Sequence, residues 1–532
     1  MQRAFNRLFN LRTGDLDNGG PFFVYYFLII ASYVMCQAAR DALFLDSFKA
    51  VQLPYADIAI AIIVGTVVAV YLRASRRLDL VNLTSAFLLL LGVLAAGFWW
   101  AAHFEDWPWL YPVIYVWVGI FGVAATAQVW TLANVVWTTR EAKRLFALLG
   151  SGGILGGIFG GFFSNFAAKR FGTESLLLVA SAFFLMCVFL VRLIGRQHNL
   201  HGDSAAQRGI ESAAVPGVRQ SLRIIRDYRL LQTIAVLICL CSIVTTVAGW
   251  QMKAIAKEAI VEKDALAAFF GRFAGYTGVL ALVAQLLVTS RIMKRFGVGI
   301  ALFVLPTALM FGSAGLLLSG SLVAATLLRG SDKVFRYSVD TSALQLLYLP
   351  IPTGLKLQAK SFIDTVIWRF GDGLAGLTVL LFATRLRWTP RDLGWLNVVL
   401  LVVWMGLAVY ARAQYVGTLS SNIRHLQLDP VHNSAPILDA ITTNVLAEKL
   451  QSKDPAEVLY ALSLFEMGQQ SQSHAAVQGL LEHPDPMIRS RATAILTASG
   501  DGSARALVAP LLKDEHLDVR TEALLYMTQH SD

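Results

Sequence analysis

Roughly twelve apolar stretches of membrane-spanning length, about 20 residues each, fill the first ~410 residues, and a polar tail with helical patterning follows. Pro21–Ala39, Leu83–His103, Val298–Leu318 and Leu393–Ala411 all reach the length that ~30 Å of hydrocarbon demands. Such a chain is an all-α membrane protein, and its function must be read from the polar groups kept inside the apolar region. Hydrophobic residues make up 56% of the 532 and charged residues only 15%. One large polytopic domain and one small domain fit those values better than several soluble domains. Met1–Gly20 is polar and basic (Arg3, Arg7, Arg12), and the apolar stretch after it is too long for a cleaved signal peptide, so the first span is expected to be retained.

The net charge of +10 does not point to nucleic acid, because of where it sits. Arg73, Arg76 and Arg77 follow the second span. Arg140, Lys143 and Arg144 follow the fourth. Arg192, Arg196, Arg208, Arg219, Arg223 and Arg226 follow the sixth, and Arg291, Lys294 and Arg295 follow the eighth. Glu105 and Asp106 occupy an alternate loop, and Arg385–Arg391 is a mild exception. This alternation is the positive-inside pattern, which predicts that the N-terminus, the central loop and the C-terminal tail are cytoplasmic. Cys36, Cys187, Cys239 and Cys241 lie in apolar spans without metal-ligand spacing and read as small buried hydrophobes. No metal, cofactor or catalytic motif stands out.

The spans divide into two six-helix halves, residues 1–193 and 230–412, joined by a polar cytoplasmic linker over 194–229. That layout is major-facilitator-like. Ala39-Arg40-Asp41-Ala42 reappears as Ala256-Lys257-Glu258-Ala259, and Ala142-Lys143 as Ala359-Lys360, at one shift of 217 residues between first members. Two matches at one shift indicate a parallel duplication, which places a substrate site between the halves near mid-membrane. In the tail, residues 434–532, Ala461, Ala492 and Ala523 recur every 31 residues, as do Leu480-Leu481 and Leu511-Leu512. Asp454-Pro455 and Asp485-Pro486 open two of the units. The period predicts a short HEAT-like α-solenoid, which would dock on the basic cytoplasmic face or on a cytoplasmic protein partner.

Ionisable groups at membrane depth are expensive and mark function by default. The candidate substrate-binding residues are Arg40 and Asp41 in the first span, Gln128 and Asn134 in the fourth, Lys253 in the seventh and Arg272 in the eighth. Lys333, Arg336 and Asp340 stand in the tenth, and Arg369 and Asp372 in the eleventh. Lys333, Arg336 and Asp340 fall on one helix face, and Asp332 and Asp340 each stand four residues from Arg336, close enough to pair. Each group has a plainer reading: snorkelling for Arg40 and Asp41, interhelical bonding for Gln128 and Asn134, an internal i, i+3 pair for Arg369 and Asp372, and a charged helix end or interhelix lock for the tenth-span cluster. The glycines from Gly150 to Gly161 lack the Gly-Lys-Ser/Thr of a phosphate loop and are read as close helix packing.

The stretches ARDALFLDSFK (39–49), WTLANVVWTTREAKRLFALLGSGGILGGIFGG (130–161) and KVFRYSVDTSALQLLYLPIPTGLKLQAKSFIDTVIWRFGDGLAG (333–376) resemble the ATP/ADP translocase family of bacteria and plastids. The resemblance covers about Pro21–Arg412, and the tail is similar to that of a bacterial branch with HEAT-like repeats. It implies a major-facilitator-like fold and nucleotide exchange. A functional Lys-Asp of that family corresponds to Arg40-Asp41. Its fourth-span acid is absent upstream of Asn134, no acid precedes Trp250, and Asp372 replaces a lysine. ATP/ADP exchange is therefore expected to be weak or absent. The function expected is secondary transport, by alternating access, of a small anionic metabolite, nucleotide-like if the family chemistry holds. Two rivals stand beside it: a carrier of lipid or amphipathic cargo, marked by an apolar cavity, and a membrane-anchored scaffold or sensor whose repeats bind a partner.

Overall fold

The computed structural model describes residues 15–75, 79–105, 107–198, 218–351, 353–424, 446–452, 454–467, 475–500 and 502–530. Arg3, Arg7, Arg12, Arg76, Arg77, Asp106, Arg208, most of the expected linker and the stretch from Ser434 to the tail's first helices lie outside the described residues. Among those described, ten helices are long and apolar enough to cross a membrane. The protein is an integral membrane protein.

The first half contains α1 (Asp15–Ser47), α2 (Leu53–Ser75), α3 (Leu80–Phe104), α4 (Leu110–Val136), α5 (Thr139–Phe171) and α6 (Ser175–Gln197). Two of the entries are set by sequence. Asp79 accepts a hydrogen bond from the Asn82 N–H ahead of α3. Thr138 and Glu141 close a capping box ahead of α5, with the Thr138 N–H donating to Glu141 Oε2 at 2.9 Å. A short amphipathic helix, α7 (Val218–Asp227), then turns Ile224 and Ile225 inward and Arg219, Arg223 and Arg226 outward. Part of the expected loop is thus helical, because its apolar residues are spaced to cover one helix face.

The second half begins with α8 (Arg229–Ala259) and α9 (Lys263–Val283), which passes through a π-helical turn at Ala284–Thr289 into α10 (Ser290–Ser319). Gly297, at φ 71°, breaks α10 near its start. The next rod is α11 (Leu322–Phe335), a π-helical turn at Arg336–Asp340 and α12 (Thr341–Leu347). After it come α13 (Thr353–Phe362), a π turn at Ile363–Ile367, α14 (Trp368–Val379), a further π turn at Leu380–Arg385 and α15 (Leu393–Arg424). Two expected spans fall short of the length-and-apolarity measure. Around α2 only the stretch Ala50–Val64, which includes the turn ahead of the helix, counts as apolar helix. The α11–α12 rod is interrupted by its π turn and carries Arg329, Asp332, Lys333, Arg336 and Asp340.

Glycine explains how the halves are built and joined. In α5, a Cβ on Gly152, Gly156 or Gly160 would lie 2.6, 2.3 or 2.7 Å from the carbonyl oxygens of Phe23, Phe27 and Ala31 in α1. The four-residue spacing matches on both helices, so α1 and α5 touch backbone to backbone along two turns. On its other side α5 meets α9 of the second half, where a Cβ on Gly161 would come 2.3 Å from Gly275 N. The halves meet there and where α2 packs on α14.

In the tail, α16 (Pro455–Met467), α17 (Pro486–Ser499) and α18 (Leu517–Gln529) start 31 residues apart, and Ala461, Ala492 and Ala523 are all fully buried. Arg489 donates from Nη1 to the carbonyls of His483 and Pro484, and Arg520 does the same to Asp514 and Glu515. Arg489 also grips the Asp514 carboxylate with Nε at 2.9 Å and Nη2 at 3.0 Å. Asp514 is thus held inside the tail. Leu480 and Leu481 are buried, whereas Leu512 is exposed, because Leu512 stands at the outer end of the described repeats. A buried apolar cluster runs from Tyr415 in α15 through Leu446 and Leu450 to Val458 in α16.

Candidate functional site

Charges that a membrane helix can hold only with partners gather between the halves, around a cavity of about 590 Å³. Its closed end is made where α1 and α8 finish. Asp41 of α1 lies 3.3 Å from Arg40 Nε and 3.0 Å from Lys253 Nζ of α8. The Lys253 ammonium also donates to the Tyr115 hydroxyl at 3.0 Å, and that hydroxyl donates to Asp57 of α2 at 3.2 Å. The Arg40 guanidinium sits 4.3 Å from the centre of the Tyr115 ring. Such a stack contributes about 0.5–2 kcal/mol, more as water is excluded. Toward the rim, Trp250 Nε1 donates to the Ala50 carbonyl at 2.7 Å and Lys257 pairs with Asp46 at 3.2 Å. Lys263 pairs with Glu174, and Thr173 donates from N and Oγ1 to Asp264 at 2.8 and 2.6 Å. Each of these last four contacts joins one half to the other.

A second cluster stands on α11 and its π turn. Asp332, fully buried, accepts from Arg329 at 2.7 Å and from Arg336 at 3.0 Å through one oxygen. Arg329 reaches the Thr245 carbonyl at 2.7 Å, and Arg336 the Thr245 hydroxyl at 3.3 Å. Arg336 lies 5.1 Å from the Tyr337 ring and 5.3 Å from the Trp368 ring. The expected Arg336–Asp340 pair does not form. The π turn bonds the Thr341 N–H back to the Arg336 carbonyl, five residues earlier, so the two side chains leave the shared face. Single π turns inside α-helices recur at functional sites. Among the described residues Lys333 makes no ion pair, and its ammonium lies 5.8 Å from the Tyr337 ring.

On the facing helix, Asp372 accepts from the hydroxyls of Ser242 and Thr246 at 2.7 and 2.9 Å, and from Arg369 at 3.3 Å. The expected i, i+3 pair forms, and both of its members border the cavity. Among the lining residues seven cations face four carboxylates: Arg40, Lys253, Arg329, Lys333, Arg336, Lys360 and Arg369 against Asp57, Asp340, Asp364 and Asp372. Tyr33, Tyr115, Trp250, Tyr337, Tyr348 and Trp368 supply ring faces between them.

Of the sequence candidates, Arg40, Lys253, Lys333, Arg336, Asp340, Arg369 and Asp372 line this cavity, and Asp41 lies directly behind it. Gln128, Asn134 and Arg272 stand apart from the lining: Gln128 is buried with both amide atoms unpartnered, and Asn134 and Arg272 are exposed on α4 and α9. Lys257, the repeat counterpart of Arg40, pairs at the rim. Sequence reasoning passed over Asp57, Tyr115 and Arg329. For both charged residues a signal existed: Asp57 is a lone charge in an apolar stretch, and Arg329 stands three residues before Asp332 at the edge of the tenth-span cluster.

The TLC ATP/ADP transporter family model matches residues 77–322. The similarity is to nucleotide carriers. An ADP,ATP carrier protein 2 of Arabidopsis thaliana chloroplasts is 22% identical over 64% of this chain and 62% of its own length. A plastidic ATP/ADP-transporter of Solanum tuberosum is 23% identical over 58% and 54%. An ADP,ATP carrier protein 1 of Chlamydia pneumoniae is 22% identical over 49% and 58%. The chain thus spans between half and two thirds of the length of the curated relatives it matches. Among solved structures, the nucleoside transporter NupG superposes with TM-score 0.50 at 10% identity, covering 75% of this chain and 98% of that one. A bacterial homologue of ferroportin in an inward-facing state gives 0.53 at 12%, covering 76% and 98%. The fold is major-facilitator-like.

Proposed function

We propose that this protein is a secondary carrier of nucleotide-like phosphorylated anions, working by alternating access between two six-span halves. The observation that carries this reading is the cavity between the halves, lined by seven cations, four of them paired with Asp41 and Asp332 just behind the wall, together with four carboxylates and aromatic rings. Arginine and lysine grip phosphate oxygens, and the ring faces of Tyr337 and Trp368 suit a planar base. The ion-paired end is the closed gate. The lining descends from Arg40 to Lys360 and Asp364, near the opposite end of the bundle; with the basic loops in the cytoplasm, the cavity opens inward. Counting α2 and the α11–α12 rod gives twelve spans, and the tail is a HEAT-like cytoplasmic solenoid resting on α15.

Phosphate binding would compete with Asp332 for Arg336 and Arg329. That exchange of partners gives the cargo different affinity for the closed and open arrangements, which any transport cycle requires. The test is a ligand-stabilisation screen on the purified full chain with nucleoside mono-, di- and triphosphates, nucleosides and sugars. Stabilisation by the phosphorylated compounds alone supports the reading, and equal response to nucleosides without phosphate overturns it.

A further inference from the structure

Beside the central cavity lies a second chamber of about 510 Å³ between α1, α5, α8, α9 and α11. Its chemistry is different. Among its lining residues only Asp41, Lys253, Arg329 and Lys333 are charged, and all four stand at the end shared with the cation cluster. Away from them the walls are mostly apolar or small, with Ile30 and Val34 of α1, Ile154 and Gly157 of α5, and Phe273 and Ala281 of α9, and with Thr277 and Gln285 as polar members. On α1 the lining runs from Tyr26 to Asp41, about 22 Å along the helix axis at 1.5 Å per residue.

Glycine opens this space. Near the closed end α5 and α9 are in backbone contact, with a Cβ on Gly271 only 2.8 Å from Asn165 N. Further along α5, a Cβ on Gly150 would meet nothing within 4 Å and one on Gly157 only Ile30 at 3.6 Å, while Gly153 packs on the Tyr26 ring and Gly278 of α9 on Ile158. The seam between the halves is therefore pinched at one end and hollow at the other. A long apolar space ending in cations, Lys333 among them without an ion pair among the described residues, matches an anionic headgroup joined to a hydrocarbon chain.

We propose that the chamber holds the hydrocarbon chain of an amphiphilic phosphate monoester whose phosphate sits among Lys253, Arg329 and Lys333. The assignment extends the proposed carrier function in substrate class, and rests on it only through those three shared cations. The chain lies along α1 and α9, and the headgroup occupies the corner where the chamber joins the central cavity.

The experiment titrates the full-length protein in amphipol with alkyl phosphates from butyl to dodecyl, alkyltrimethylammonium ions of the same lengths, and a nucleoside diphosphate. In the wild type, affinity for the phosphates should rise by up to about fourfold per methylene, the factor for complete burial, and then level off once the chamber is full. Gly150→Leu and Ala281→Leu fill the chamber from opposite walls and should flatten that dependence, while butyl phosphate and the nucleoside diphosphate bind as before. A flat series in the wild type overturns the proposal, as does an equal slope in the cationic series. An unchanged slope in either filled variant that remains folded does the same. If alkyl phosphates bind as described and the nucleoside diphosphate does not, the chamber stands and the nucleotide reading falls.

Discussion

The Lys253 ammonium of one half lies 3.0 Å from the Asp41 carboxylate of the other, and Arg40 approaches the same carboxylate oxygen at 3.3 Å. One buried acid thus holds two cations, Arg40 of its own helix and Lys253 from across the seam between the halves. Breaking a buried pair by removing one partner costs about 3–5 kcal/mol when the other charge is left alone. Asp41→Asn strands both cations, whereas Lys253→Met leaves Asp41 with Arg40. Thermal unfolding should therefore show Asp41→Asn as the more destabilised variant. Equal midpoints would mean that the Arg40–Asp41 contact adds nothing to the cross-seam pair.

The α1–α5 contact predicts a sharp contrast between neighbouring glycines. Gly156→Ala drives a methyl to 2.3 Å from the Phe27 carbonyl oxygen, whereas Gly150→Ala meets open space. Overpacking of this kind costs about 1–3 kcal/mol. Gly156→Ala should lose folded yield and thermal stability, and Gly150→Ala should match the wild type. Similar behaviour of the two variants would refute backbone-to-backbone packing.

ATP/ADP exchange should be weak. The stretch before Asn134 and the residues before Trp250 lack an acid, and at the position expected to hold a lysine Asp372 accepts two hydroxyl hydrogen bonds and an arginine. Counterflow of labelled ATP against internal ADP in proteoliposomes measures this directly. Robust exchange would show that Asp57, Asp340 and the surrounding cations serve ATP and ADP without those groups.

In the tail, the Arg489 guanidinium bound to Asp514 holds that carboxyl below its ordinary range. A depressed folded-state pKa contributes stability that is present above the ordinary carboxylate value near 4 and disappears as pH falls through the folded value. Asp514→Asn should speed hydrogen exchange across residues 486–529 of the full chain at neutral pH. Wild type and variant should converge on acidification through the carboxylate range. A constant difference across that range would mean that the pair does not stabilise the repeats.

Much of this was legible in the chain. The positions of Arg40, Lys253 and Arg336 stood out because a charge in an apolar span needs a reason. The glycines of α5 showed as close packing because their four-residue spacing marks one helix face. Tyr115 did not stand out, since aromatic residues are common in membrane helices and its role appears only when Arg40, Lys253 and Asp57 arrive from three other helices. The Arg336–Asp340 pair misled because the π turn changes the register on which the i, i+4 rule depends. The sequence match between the halves is not a match of depth: Arg40 is in the cavity wall and Lys257 at the rim.

The central claim is that the cations between the halves bind a phosphorylated anion. Calorimetric titration of the purified full chain with a nucleoside diphosphate, wild type beside Arg336→Ala and Arg40→Ala, tests it most directly. The account predicts saturable binding by the wild type and a loss of at least about tenfold in each folded variant, the 1.4 kcal/mol expected for one charge-assisted hydrogen bond. Absent binding in the wild type, or unchanged affinity in both variants, would contradict it.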